Sequence, residues 1–192
     1  MIVMVLGLVL FLGVHSVRVF ADDWRTAQIA ARGAGAWKGI YSLLSLGGLV
    51  LIVYGYGLTR TAPVDLWSPP TWTRHVAALL TLASFILFAA AQVKGSAIKA
   101  AVGHPQVLGT KVWAFAHLMS NGRLADVVLF GAFLAWAIVL YAASRRRDRR
   151  TGTRHIAGPV SRDVIAVVAG VAAWAAFAFW LHAWLIGVRP FS

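Results

Sequence analysis

An all-α bundle of about six transmembrane helices is the fold this sequence predicts, and three observations predict it. Of 192 residues, 60% are hydrophobic and only 12% charged, about half the charged share of a soluble domain. Mean hydropathy is +0.75, and several runs approach the ~20 apolar residues that cross a bilayer. The basic residues behind the net charge of +12 sit between apolar runs rather than on a soluble face. They read as topology signals, which excludes nucleic acid as a partner and leaves the lipid bilayer. The chain has no cysteine, so disulfides, thiolate catalysis and thiolate-bound iron–sulfur clusters are excluded.

The first apolar run covers 1–20, holds His15 and ends at Arg18, Asp22 and Asp23. A cleaved signal peptide is the competing reading, because Val19-Phe20-Ala21 resembles a cleavage site. The missing positive n-region favours a retained span. A polar stretch follows over 23–37, with room for a surface helix over 24–32 and with Gly33 and Gly35 as breakers. The second span is 38–58. Its Ser42, Ser45, Gly47 and Gly48 are small enough to let a neighbouring helix approach in lipid, and Tyr54 and Tyr56 suit the far interface.

Pro63, Pro69 and Pro70 make 59–73 a loop, with Trp67 and Trp72 at headgroup level. Residues 74–93 form the third span and 94–103 a basic connector. The fourth span, 105–120, is short and opens on Pro105, well placed at a first helical position. Lys111 on it snorkels to the nearer interface. Asn121-Gly122 is a tight turn, with Gly122 expected at positive φ, so the fifth span, 124–143, packs antiparallel beside the fourth. Asp126 stands where a carboxylate complements the helix dipole. Residues 144–161 read as an Arg-rich cytoplasmic loop, and 162–192 hold an additional C-terminal span over 164–186, with His182 near its end.

Arg25, Arg32, Lys94, Lys99 and the six arginines of SRRRDRRTGTR lie on one side, against mainly Arg60, Arg74 and Arg123 on the other. The positive-inside rule makes the first side cytoplasmic and puts both termini outside.

The six carboxylates are all aspartate, at 22, 23, 65, 126, 148 and 163, and none falls mid-span. That argues against a proton-coupled transporter built on buried acids and against a paired-carboxylate hydrolase. His-x-x-x-His zinc spacing is absent. Histidines remain: His15, His75, His104 and His117 lie in or beside the first four spans. An imidazole in an apolar helix is costly and usually has a partner or a role. One reading is a hydrogen-bonded core histidine; another is ligation of haem iron between helices.

FLGVHS at 11–16, YSLLSLGGLVLIVYGY at 41–56, LWSPPTWTRH at 66–75 and HPQVLGTKVWAFAHLMSNG at 104–122 together resemble the NnrU family of bacterial membrane proteins. The resemblance covers 1–143, five spans, and leaves out the Arg-rich segment and the last span. That family is named for a link to nitrite and nitric oxide metabolism and is related to the plastid zeta-carotene isomerase, a membrane haem b enzyme. The resemblance implies a bacterial inner-membrane protein with haem b, in which His15 and His117 match proposed haem ligands. Ala114 stands where the isomerase has cysteine, so a thiolate ligand switch is excluded. Gly103 stands where an arginine usually precedes His-Pro.

Helix depth suggests other pairs. Fourteen residues from the outer end place His15 about 21 Å deep, whereas His117, four residues before Asn121, is about 6 Å from the same face. Depth alone pairs His117 with His75 and His15 with His104. Three functions follow: a haem b protein of redox or nitrogen-oxide metabolism with redox or isomerase-like chemistry; a non-catalytic accessory subunit of a larger membrane complex; and, on His104-Pro105 alone, a methyltransferase.

Overall fold

A computed structural model describes residues 1–191. The helices are α1 (Ile2–Phe20), α2 (Asp22–Thr59), α3 (Trp72–Gln92), α4 (Ala97–Val102), α5 (Pro105–Ser120), α6 (Leu124–Thr151), α7 (Ser161–Ala176), a π-helical turn over Phe177–Leu181, and α8 (His182–Ile186). Among the described residues, five segments are long and apolar enough to cross a membrane: α1, α2, α3, α6 and the continuous stretch Ser161–Ile186. With 16 residues, α5 spans about 24 Å at 1.5 Å per residue, short of the ~30 Å hydrocarbon core. The chain is an integral, multi-pass membrane protein of all-α architecture.

The helices stand in a row rather than around a centre. α1 packs on α2 and α6, α5 on α6 and α3, and α3 on α7, which gives the spatial order α2, α1, α6, α5, α3, α7. Lipid removes the hydrophobic drive between helices, so close backbone approach decides the contacts. A side chain at Gly48 would meet the backbone of Phe11, one at Gly7 that of Ile52, and one at Gly170 that of Ile86. The apolar core lies between α1, α2 and α6, around Met4, Leu8, Ile52, Leu129 and Phe130.

Several sequence expectations change here. The polar stretch 23–37 is helical and belongs to α2, which is broken only at Gly33 (φ 82°, ψ 153°). The connector 94–103 contains α4, capped by Ser96, whose side chain accepts from the Lys99 N–H. The Arg-rich segment is no loop up to Thr151: it continues α6 to a left-handed cap at Gly152 (φ 66°). Arginine is a good helix former, and Arg149 and Arg150 sit where cations suit the helix dipole. Tyr56, half-buried near the end of α2, has a partner that the sequence did not announce. Its hydroxyl donates to Asp126 Oδ1 at 2.6 Å, and Asp126 is buried.

Gly122 is the clearest correction. Its φ is not positive; the positive-φ glycines are Gly33, Gly95, Gly103, Gly152 and Gly187. The turn is tight because the loop 59–71 crosses it. Gly122 O accepts from Leu66 N at 2.8 Å and Trp67 N at 3.3 Å, and Leu124 N donates to Val64 O at 2.9 Å. A Cβ on Gly122 would collide with the Trp67 carbonyl oxygen.

Candidate functional site

Three histidines each bond a backbone carbonyl through Nδ1, His15 and His117 to the residue four earlier and His182 to one six later. The Nδ1 of His15 bonds Phe11 O at 2.7 Å, that of His117 bonds Trp113 O at 2.9 Å, and that of His182 bonds Val188 O at 2.7 Å. A carbonyl oxygen only accepts, so each Nδ1 carries the hydrogen. In the neutral ring this leaves Nε2 with a free lone pair, the tautomer in which a histidine ligates a metal.

His117 lines a cavity of ≈ 310 Å³ bounded by α3, α5, α7, the π turn and the chain after α8. His182 lines it too. The π turn Phe177–Leu181 widens the helix just before His182, and the left-handed Gly187 (φ 74°) then folds Val188 to Phe191 back over the opening. Phe85, Trp113, Trp174, Phe177 and Phe191 supply aromatic walls; Arg74 and Arg189 supply cationic groups. Trp174 Nε1 donates to Thr81 Oγ1 at 3.1 Å, tying α7 to α3 beside the cavity. Asn121 Nδ2 donates to His117 O at 2.8 Å and holds the end of the helix that carries the imidazole.

His15 lies elsewhere. Its ring packs on Phe11 at 4.2 Å, Tyr41 at 5.2 Å and Trp136 at 6.2 Å. His117 packs on Phe130 at 4.6 Å and Trp113 at 5.1 Å. Trp136 and Phe130 are six positions apart on α6, about 9 Å by helical rise. Phe133 lies between the two groups, 6.0 Å from Phe11 and 5.6 Å from Trp113. Phe133 therefore links the aromatic group around His15 to the one around His117. His75 is exposed. His104 is at the other end of α5, where its Nε2 lies 2.8 Å from Asp148 Oδ2.

The donor set of the cavity fits haem: two imidazoles with Nε2 available, aromatic walls, and arginines suited to carboxylates. Sequence reading singled out His117 but not its cavity partner. That His182 lines the same cavity as the end of α5 depends on how α7 packs on α3 and follows a π turn that a 3.6-residue period does not reveal.

A family model described as NnrU protein matches residues 3–190, running through the Arg-rich segment and the last span that the sequence resemblance left out. No curated protein and no solved structure matches the chain.

Proposed function

This chain belongs to the NnrU family, and on that premise we propose that it binds haem b between its helices and serves redox or nitrogen-oxide metabolism in a bacterial inner membrane. The observation that carries the reading is the cavity that gathers His117, His182, five aromatic rings and two arginines. When bound, haem supplies a redox centre or a Lewis acid. The chain's own residues would do the rest. Backbone carbonyls of Trp113 and Val188 fix the ring orientation of His117 and His182. Trp174 and Phe191 exclude water, and Arg74 and Arg189 would receive carboxylates. His117 is the first-choice ligand. His182 is favoured as its partner by the shared cavity, and His15 by the resemblance to the isomerase; isomerase-like chemistry stays with that second pairing.

The test is an absorption spectrum of gently solubilised protein from cells supplied with haem precursor. A Soret band is expected. His117→Ala should abolish it or turn a six-coordinate low-spin spectrum high-spin. His182→Ala should do the same if the cavity supplies both ligands, and His15→Ala if the other pairing holds. His75→Ala, on an exposed ring, should change nothing. A colourless wild type that co-purifies with other membrane proteins would overturn the haem reading in favour of an accessory subunit. The open row of helices, with apolar faces on both sides, suits that role.

A further inference from the structure

At the opposite end of the bundle from that cavity, three potential ligands converge that lie 44 and 7 positions apart in sequence. We propose that His104, Asp148 and His155 form a binding site for a divalent transition-metal ion of the zinc class. His104 Nε2 and Asp148 Oδ2 are 2.8 Å apart, and His155 Nε2 is 3.7 Å from the same oxygen. One ligand atom from each residue lies within 4.8 Å of the other two. Around a tetrahedral ion with bonds of about 2.0–2.1 Å, ligand atoms sit about 3.3 Å apart. Sub-ångström opening of the first pair, with closure of the two rings, would reach that spacing.

The local chain is built to bring these groups together. Gly103, at φ 76°, turns the backbone so that His104 precedes Pro105 at the start of α5. Asp148 is buried in the last turn of α6. Gly152 then reverses the chain, with Gly152 N and Thr153 N both bonded to Asp148 O, and His155 returns over that turn. Between positions 151 and 162 every residue is exposed except His155. Its Nε2 is fully buried and has no hydrogen-bond partner, a costly state for a ring nitrogen. Coordination would satisfy it. The Gly158 N–H bond to Gly95 O at 2.8 Å holds the far end of the same segment.

Two imidazoles and one carboxylate select the metal class. Calcium takes six to eight oxygen ligands, and magnesium keeps an octahedral oxygen shell. Zinc, cobalt and nickel accept mixed nitrogen and oxygen donors. The neighbouring arginines oppose any cation: Arg146, Arg149, Arg150 and Arg154 are exposed, where water and salt screen them, whereas Arg145 and Arg147 are half-buried and Arg145 lies against Gly103. The one carboxylate of the Arg-rich run is the one turned inward. Each histidine ligates through a neutral Nε2 lone pair, so the hydrogen that now bridges His104 Nε2 and Asp148 Oδ2 must leave that position when a metal binds. Three protein ligands leave a fourth position for water.

The experiment uses the full chain in detergent, purified without a polyhistidine tag, stripped with chelator and titrated with Co²⁺. The expected result is about one Co²⁺ per chain with tetrahedral d–d bands, displaced by Zn²⁺, and slower tryptic cleavage at the exposed Arg154. Losing an outer-shell partner of a metal site weakens binding about 10–100-fold, so His155→Ala and Asp148→Asn should each weaken it at least about tenfold. His75→Ala should leave it unchanged, and none of the three should move a Soret band. His155 stands on an exposed segment, so its variant reports even if Asp148→Asn misfolds. A stripped wild type that takes up no Co²⁺, or a His155→Ala variant that binds as the wild type does, would overturn the proposal.

Discussion

Gly122 owes its importance to what lies against it, not to its own dihedral angle. The sequence signal, Asn-Gly between two apolar runs, correctly marks a tight helix-to-helix turn and mistakes the cause. Asn121 leaves α5 extended (φ −130°, ψ 132°), and the backbone of Trp67 then crosses over Gly122. The two explanations separate in one pair of variants. Asparagine tolerates positive φ but still carries a Cβ. Gly122→Asn and Gly122→Val should therefore both destabilise the protein, by about 1–3 kcal/mol for a forced overpacking, read as a lower melting temperature in detergent. A Gly122→Asn variant that melts with the wild type would restore the dihedral account. The same limit applies to the histidines. His117 stood out because it interrupts an apolar helix. His155 did not, because an imidazole among arginines reads as solvated, and only the reversal at Gly152 turns it inward.

At the scale of elements, apolar period and breakers carried most of the information, and charge misled. The bounds of α5 follow from Pro105 and Asn121, as the sequence reading had them. The end of α6 did not follow, since six arginines read as a solvated loop although they favour a helix. Asp126 does stand in the first turn of α6, where a carboxylate complements the dipole, but the fold also buries it under the Tyr56 hydroxyl, a pairing 70 residues apart that no local pattern announces. α2 offers a test of which glycine breaks a helix. Gly33 and Gly35 look alike in sequence, yet only Gly33 is non-helical. Its φ and ψ lie in a region essentially restricted to glycine. Gly33→Ala should lower stability by about 1–3 kcal/mol. Gly35→Ala meets open space and should be neutral or stabilising by up to ~1 kcal/mol. Chemical or thermal denaturation of both variants in the same detergent checks the contrast, and equal effects would sink it.

The whole molecule was legible as a class and not as an arrangement. Composition and run length give a membrane-spanning helical protein, but nothing in a single sequence orders the row α2, α1, α6, α5, α3, α7. That order decides which histidines meet. It places the His117 cavity by the loop 59–71 and the His104–Asp148–His155 cluster by the Arg-rich end of α6. The two candidate sites would thus face opposite sides of the membrane. We propose, from the positive-inside rule, a cytoplasmic Arg-rich end and periplasmic termini. The absence of native cysteine makes the test direct, because any introduced thiol is the only one. Thr153, just past the α6 cap, and Ser68, in the crossing loop, are both exposed. In intact cells Thr153→Cys should react only with membrane-permeant maleimides, and Ser68→Cys with impermeant ones as well. Permeabilised cells should label both, which shows that each thiol is accessible. Labelling of Thr153→Cys by an impermeant reagent in sealed cells would invert the orientation, moving the His117 cavity to the cytoplasmic face and the His104–Asp148–His155 cluster to the outside.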